Sequence, residues 1–328
     1  GREHSFPTRR SSDLLQPDAR TGERTTVMVN SQAEIRAAVG DGSRFGLEVT
    51  YIEQAAPLGL AHAVKISEDY LRDEPFVMYL GDNLIKDGIA PFVREFEKEK
   101  PDAQILLAHV KTPQDFGVAE LAGDRVVQLE EKPKQPRSDL ALVGVYLFSA
   151  CIFDAVRAIR PSRRGELEIT DAIQWLIDHG QRVRHDRLTG WWLDTGKKDP
   201  LLESNRRVLE TLEPRIDGVV DDASVVDGRV VIEEGAIVVD SHIRGPAIIG
   251  AGTRIERTYV GPFTAIAADC EVTDSEIEHS VVLERSTISV VGLLTDSLIG
   301  RDATVRKGAQ RPVATRLMIG DDCTIDLT

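Results

Sequence analysis

The sequence has few cysteines, no long apolar run and a shortage of positive charge. Its three cysteines, among 328 residues, are far apart and odd in number, which excludes a disulfide framework or zinc pattern and favours a reducing cytoplasm. Because no run of about 18 apolar residues occurs, no membrane partner is expected. The net charge of −14 argues against nucleic acid, whose phosphates select basic surfaces. It does not exclude one nucleotide bound through a metal ion.

The start of the chain is also poor in apolar residues. Phe6, Leu14 and Leu15 are the only large ones before Val27, too few for the core of a secretory signal. Arginines and serines suit a transit peptide, but interspersed acids argue against one. We expect residues 1–30 to be a non-native or disordered segment, since so little apolar area cannot offset the entropy of ordering. The tract SFPTRRSSDL within it also resembles the translation of a sequencing adaptor.

Residues 31–213 alternate between strand-like and helix-like segments. The runs FVMYL (76–80) and QILLAHV (104–110) are continuously apolar, as in strands buried on both faces. Helical spacing of apolar residues recurs over 60–71 and 89–99. This alternation predicts the α/β class, with a Rossmann-like, mostly parallel sheet. Ligands of such sheets bind beyond the carboxyl ends of the strands, so we expect functional residues directly after strands.

Residues 214–328 change to a period of six. Ile243, Ile249 and Ile255 are six apart, and motifs such as IGAGT and IGRDA recur. A six-residue repeat predicts a parallel β-helix, with three repeats to a coil. The motifs resemble the hexapeptide repeat of left-handed β-helix domains, which implies a left-handed coil. The period is interrupted around 289–294, where we expect an irregular coil. Parallel β-helices often assemble, so a homo-oligomer is also expected.

Two aspartates are candidate metal ligands. Asp82 in LGDN and Asp194 in WWLDTG each follow a strand-like segment, and Mg²⁺ is commonly held by one or two carboxylates plus substrate phosphates. The alternative for Asp82 is an ordinary turn residue. The alternative for Asp194 is the N-cap of the helix that follows.

Three further residues suggest ligand contacts. Lys132 in EEKPK suits a sugar phosphate as a mobile point charge, although charged turns are usually just solvated. Gly144 interrupts the strand LVGVY, which indicates a close approach to the backbone. Gln54, between a strand and a helix, offers a two-sided amide suited to a base edge; its alternative is a helix-entry loop.

The order of these motifs is more specific than any one of them. The series QAAPLGLAHA, LGDN, FGV, EEKPK, GVY, RGELEIT and WWLDTG resembles the sugar-1-phosphate nucleotidylyltransferases. It is most similar to the long glucose-1-phosphate thymidylyltransferases, which carry a C-terminal β-helix. The resemblance runs from about Ile35 to the C-terminus. It implies that dTTP and glucose 1-phosphate are converted to dTDP-glucose and pyrophosphate, with Mg²⁺ as cofactor.

The resemblance also implies roles for individual residues. Asp82 and Asp194 would hold Mg²⁺, and Lys132 would bind the sugar phosphate. The residues that would contact the hexose are Asn83, Gly117, Glu131 and Gly144. Those that would contact the thymine are Gln54 and Gly59. Arg164 and Glu166 lie in a matching motif with a less defined role.

One expected motif is absent, and alternatives remain open. The family begins with a strand and a loop of the type LAGGxGTRLxPxT, which cradles the triphosphate, and residues 1–50 contain no such pattern. We therefore expect an N-terminally truncated chain with poor triphosphate binding and negligible catalysis. One alternative is a nucleotidylyltransferase for another sugar or base, such as UTP or GTP. If its β-helix were an acyltransferase, His242 or His279 would be the candidate base, although an isolated histidine is more typical of ordinary coil packing. Another is a non-catalytic regulatory paralogue.

Overall fold

The structure is a computed structural model that describes residues 25–29, 33–195 and 198–307. The chain divides into two compact units between Pro200 and Leu201. Among the described residues, no helix is long and apolar enough to cross a membrane. The predicted segment 1–30 falls largely outside the described residues.

The first unit combines ten strands, six α-helices and two short 3-10 helices (Ser43–Phe45 and Pro113–Asp115) among the described residues. The strands are β1 (Thr25–Val29), β2 (Glu48–Ile52), β3 (Phe76–Tyr79), β4 (Asn83–Ile85), β5 (Ala103–His109), β6 (Gly117–Ala122), β7 (Arg125–Glu131), β8 (Leu140–Phe148), β9 (Val183–Arg187) and β10 (Trp192–Asp194). The helices are α1 (Ala33–Val39), α2 (Leu60–Ile66), α3 (Glu68–Leu71), α4 (Ala90–Glu99), α5 (Ile152–Ala158) and α6 (Ile169–Asp178).

The main sheet of this unit is built around β8. Its order is β7-β6-β8-β5-β9, and β3 pairs with the C-terminal half of β8. All nine residues of β8 are buried, which explains its uninterrupted apolar sequence. The predicted α/β class is confirmed, but the sheet is mixed: β5 and β9 are parallel, whereas β3, β5 and β6 all run antiparallel to β8. Two smaller pairs stand apart, β1 with β2 and β4 with β10.

Strand β3 departs from its predicted burial on both faces. Phe76 and Met78 pack against the apolar core, whereas Val77 and Tyr79 are 39% and 42% exposed. Side chains alternate between the two faces of a strand, so only one face of β3 is covered by described residues. Its carboxyl end leads into β4 through a turn at Gly81 and Asp82, the region in which functional residues are predicted.

The helix α7 (Lys198–Leu209) spans the boundary between the units. The rest of the second unit is a parallel β-helix. Its strands are β11 (Arg215–Ile216), β12 (Val219–Val220), β13 (Val225–Asp227), β14 (Val230–Ile232), β15 (Ile237–Val239), β16 (His242–Arg244), β17 (Ala247–Ile249), β18 (Arg254–Glu256), β19 (Tyr259–Val260), β20 (Thr264–Ile266), β21 (Glu271–Thr273), β22 (Glu276–Ile277), β23 (Val281–Val282), β24 (Thr287–Ser289), β25 (Leu293–Leu294), β26 (Leu298–Ile299) and β27 (Thr304–Arg306). Every third strand stacks in the same sheet, which gives three parallel sheets. The predicted β-helix is confirmed.

The coils are shorter than three full repeats of six. Arg254 lies opposite Glu271, so one coil takes 17 residues rather than 18. The side chains that fill the axis are Val220, Val226, Ile232, Val238, Ile243, Ile249, Ile255, Val260, Ile266, Val272, Ile277, Val282, Ile288, Leu294, Ile299 and Val305. Most coils therefore combine two steps of six residues with one step of five. The irregular coil predicted at 289–294 is not seen, because β24 and β25 pair in regular register with β21 and β22. Val290 is left-handed, but so are Asp240, Arg257 and Asp274 at the same corner of earlier coils.

Small hydroxyl side chains join successive coils at a corner of the β-helix. The Ser224 Oγ accepts from the Ser241 N–H at 3.1 Å, and the Ser241 Oγ accepts from the Thr258 N–H at 3.0 Å. Buried backbone groups need such partners. On the outside of one sheet, Leu209 and Leu212 pack against its outward-facing apolar residues. Helix α7 thus ends against the β-helix.

Candidate active site

Asn83 is the centre of a hydrogen-bond network where β3 ends. Its side chain is buried, and its Oδ1 accepts from the Gly144 N–H at 3.1 Å and from the Trp192 Nε1–H at 2.6 Å. Its Nδ2 donates to the Asp82 Oδ1 at 2.8 Å. Three separate segments, LGDN, GVY and WWLDTG, are joined by this one amide.

Gly144 makes room for that amide. A Cβ at this position would lie 2.6 to 2.9 Å from the Asn83 Nδ2, Cγ and Oδ1, closer than real side chains approach. The absence of a side chain at Gly144, noted in the sequence as an interrupted strand, thus allows Asn83 to reach the backbone of β8.

Asp82 and Asp194 are brought together by the pairing of β4 with β10. Asp194 lies opposite Asn83 in this antiparallel pair, and directly opposed residues project to the same face. The Asp82 Oδ1 accepts from the Asn83 amide, so the Asp82 carboxylate is bound to a side chain of that face. Helix α7 begins at Lys198, four residues after Asp194, so Asp194 does not stand directly before it.

The two aspartates fit a magnesium ion that also needs substrate oxygens. No group of three or more potential metal-binding side chains occurs among the described residues. Mg²⁺ is typically held by one or two carboxylates, with water and phosphate oxygens completing the shell. Hard carboxylate oxygens at Asp82 and Asp194 meet that requirement.

Glu131 and Gly117 face each other across the β6–β7 hairpin. They are directly paired in register, and a Cβ on Gly117 would lie 2.7 Å from the Thr170 Cγ2 and 3.0 Å from the Glu131 Oε2. The Thr170 hydroxyl donates to the Glu131 Oε2 at 3.3 Å. The hairpin and the start of α6 therefore meet at this carboxylate.

Charged groups of both signs surround Glu131. Burial, then the charge of Glu168, raises the pKa of the Glu131 carboxyl, against the opposing effect of Lys132 and Arg164. The Arg164 guanidinium lies 3.6 Å from the Glu131 Oε1 and 3.0 Å from the Glu166 Oε1. Lys132 is exposed, and its backbone is held in a left-handed conformation by a hydrogen bond from its N–H to the Phe116 carbonyl at 3.0 Å.

Gln54 and Gly59 belong to a loop that contacts the RGELEIT segment. The Gln54 Nε2 donates to the Gly59 carbonyl at 3.2 Å and lies 3.0 Å from the His62 Nδ1. Gly59 has φ of 98°, and a Cβ there would lie 2.4 Å from the Leu167 carbonyl oxygen. The Leu167 N–H donates to the Leu58 carbonyl at 2.8 Å, so the two motifs form one wall.

The structure thus connects all seven quoted motifs. The remaining link is the ring of Phe116, which packs against Trp192 with centroids 5.4 Å apart. The sequence interpretation did not assign roles to Trp192, Thr170 or Thr195, although all three lie inside quoted motifs. These residues could have been recognised from the sequence, because each has a hydroxyl or indole hydrogen-bond donor and lies in the same motif as a predicted site residue.

Two other features do not involve the predicted site residues of the first unit. His242 and His279 each pair with an aspartate of a neighbouring coil, His242 with Asp227 at 3.0 Å and His279 with Asp296. An open cavity of about 500 Å³ between α3 and α5 is lined by paired charges such as Arg157. It contains none of the predicted site residues.

Comparison with known proteins identifies relatives whose names agree with the family that the motifs resemble. The nucleotidyl transferase family model matches residues 19–211. The chain is 56% identical over 296 residues to a glucose-1-phosphate thymidylyltransferase of Streptomyces griseus, covering 90% of this chain and 83% of that protein. A Streptomyces antibioticus protein of the same name is 54% identical over 303 residues, covering 92% and 85%. A Bacillus anthracis crystal structure described as a glucose-1-phosphate thymidylyltransferase, in complex with sucrose, is 34% identical with a TM-score of 0.52, covering 57% of this chain and 76% of that one.

Proposed function

Because the chain belongs to the nucleotidyl transferase family, we propose that its site serves the transfer of a thymidylyl group from dTTP to glucose 1-phosphate. The observation that carries the proposal is that Asn83 joins the LGDN, GVY and WWLDTG segments by hydrogen bonds. Phe116, which directly precedes the β6–β7 hairpin of Glu131, packs against Trp192 of the same network. The 54–56% identity to two thymidylyltransferases supports this substrate pair.

The proposed reaction is a single in-line displacement at phosphorus. A phosphate oxygen of glucose 1-phosphate forms a bond to the α-phosphorus of dTTP, and the bond from that phosphorus to the bridging β-phosphate oxygen breaks. The products are dTDP-glucose and pyrophosphate. In such reactions catalysis comes from positioning and charge neutralisation rather than from a covalent enzyme intermediate.

The charged side chains divide the work. Lys132 binds the phosphate of the sugar as a mobile cation, with Arg164 close to the same hairpin. Asp82 and Asp194 would hold Mg²⁺, which when bound would neutralise charge on the phosphates. When both phosphates are held at fixed positions, the attacking oxygen of the sugar phosphate is oriented towards the α-phosphorus of dTTP.

Other residues of the site recognise the hexose and the base. Glu131 accepts from hexose hydroxyls, and Gly117, Gly144 and Asn83 form the wall beside it. Gln54 and Gly59, in the loop that contacts the RGELEIT segment, bind the thymine. Gln54 is half-buried in a loop already fixed by its bond to the Gly59 carbonyl, so its amide is pre-oriented for a base edge.

Binding of glucose 1-phosphate tests the sugar-phosphate assignment. Isothermal titration of the purified chain should show that Lys132→Ala weakens glucose 1-phosphate binding about tenfold or more, because a hydrogen bond to a charged group contributes about 1.5–3 kcal/mol. Lys134→Ala is the matched control, since Lys134 is exposed in the same EKPK run. Equal effects of the two substitutions would contradict the assignment.

Nucleotide-sugar binding tests the base assignment. The chain should bind dTDP-glucose more tightly than UDP-glucose or GDP-glucose, and Gln54→Ala should reduce that preference. A stronger response to UDP-glucose or GDP-glucose would instead support a nucleotidylyltransferase for another base.

No acyltransferase role is proposed for the β-helix. The His242 ring is engaged with Asp227 and packs edge-on against Tyr259, and the His279 ring is engaged with Asp296 and packs edge-on against Phe263. These contacts stabilise neighbouring coils.

A further inference from the structure

We propose that Thr195 is a positioning residue, which holds Asp82 at the separation from Asp194 that allows both carboxylates to share one divalent cation. The inference deepens the proposed function and rests on its metal assignment. Thr195 is not among the residues to which the family resemblance gives a role.

Thr195 binds the backbone of Asp82 at two points. Its N–H donates to the Asp82 carbonyl at 2.7 Å, and its hydroxyl donates to the same oxygen at 2.8 Å. Because Thr195 directly follows Asp194 in the chain, this double contact connects the backbones that carry the two carboxylates. A shift of either segment would stretch both hydrogen bonds.

The side chain of Asp82 is fixed separately. Two N–H donors, from Gly144 and Trp192, converge on one end of the Asn83 amide, so that end must be the oxygen. The opposite end is therefore the NH₂ group, which donates to the Asp82 Oδ1. With the carboxylate orientation set by Asn83, the remaining variable is the position of the Asp82 backbone, which Thr195 controls.

The need for such control follows from how few protein ligands this site has. A cage of many ligands can tolerate the displacement of one of them, whereas a site with two carboxylates depends on their separation. Magnesium demands nearly ideal octahedral geometry at about 2.0–2.1 Å. Supporting contacts around metal ligands affect metal affinity for this reason.

The test is a comparison of Thr195→Val with Thr195→Ser in the whole chain. Valine keeps the shape and the backbone N–H but removes the hydroxyl donor, whereas serine retains it. The readout is Mn²⁺ affinity, measured from the electron paramagnetic resonance of free Mn²⁺ with saturating dTDP-glucose. We expect Thr195→Val to weaken Mn²⁺ binding about fivefold, the equivalent of one lost neutral hydrogen bond, and Thr195→Ser to stay within about twofold.

Two further measurements distinguish an error in the positioning role of Thr195 from an error in the metal assignment. Glucose 1-phosphate binding in the presence of a chelator should be unchanged in both variants, because Thr195 acts through the metal ligands. Asp82→Asn and Asp194→Asn should each weaken Mn²⁺ binding more than Thr195→Val does. If both Asn variants weaken it and Thr195→Val does not, the positioning role is wrong while the metal assignment stands. If neither Asn variant weakens it, the metal assignment fails, and the role of Thr195 fails with it.

Discussion

Replacement of Gly144 by alanine should break the network that organises the site. Gly144 lies in the fully buried strand β8, so its backbone cannot retreat without disturbing β3 and β5. An added Cβ would overlap the Asn83 side chain at 2.6 to 2.9 Å. Asn83 would have to leave, which breaks its bonds to Gly144, Trp192 and Asp82.

The expected cost combines overpacking and lost hydrogen bonds. Overpacking of a core costs about 1–3 kcal/mol, and each lost neutral hydrogen bond adds about 1 kcal/mol. Since part of the strain is relieved when Asn83 moves, we expect a net loss of about 3 kcal/mol for Gly144→Ala. With a urea m-value of about 2 kcal/mol per molar, the midpoint should fall by about 1.5 M.

Tryptophan fluorescence can follow this transition selectively. The three tryptophans, Trp175, Trp191 and Trp192, all lie in the first unit, so the β-helix does not contribute to the signal. Gly81→Ala is the matched control in the same region, because a Cβ on Gly81 would meet no atom within 4 Å. It should shift the midpoint by less than about 0.3 M. A Gly144→Ala protein as stable as the Gly81→Ala protein would refute the role assigned to the Asn83 network.

Two other predictions concern stability. Because burial and Glu168 raise the pKa of Glu131, the folded chain holds that proton more tightly than the unfolded chain, so the stabilisation is present at low pH and is lost as the pH rises through the folded pKa. The melting temperature of Glu131→Gln relative to the original chain should therefore rise as the pH increases above the ordinary glutamate pKa of about 4.3; a constant difference would contradict the buried carboxyl. In the β-helix, Ile255→Ala should cost about 3 kcal/mol through a cavity on the axis, with no change in tryptophan fluorescence. Circular dichroism melting would check this against Ile237→Ala, whose side chain is 36% exposed, compared with 0% for Ile255; similar losses would exclude an axial role for Ile255.

Much of the candidate site could be anticipated from the order of its motifs. Asp82 and Asp194 were predicted to meet because each follows a strand, and the β4–β10 pair does bring their segments together. Two of the partners of Asn83, Gly144 and Trp192, could not be predicted. They lie 61 and 109 residues away in the chain, and hydrogen bonds between such distant segments depend on how the whole sheet is assembled.

In the β-helix, too, the sequence predicted the repeating unit but not the geometry of the closed coil. The spacing of Ile243, Ile249 and Ile255 predicted a repeating coil, because each repeat must place one apolar side chain on the axis. The sequence period of six did not reveal that a coil closes in 17 residues. Closure depends on the combined turn of three corners, which no single repeat contains.

By itself, the sequence determined the α/β unit and the β-helix, and it supplied the candidate site residues. These depend on local periodicity and on residue types, which can be recognised in each segment separately. Only the tertiary structure decided that the sheet is mixed, that Gly144 yields its space to the Asn83 amide, and that Thr195 connects the two aspartates. Those features depend on contacts between segments that are distant in the chain. Such contacts are set by the packing of the whole unit and not by any one segment.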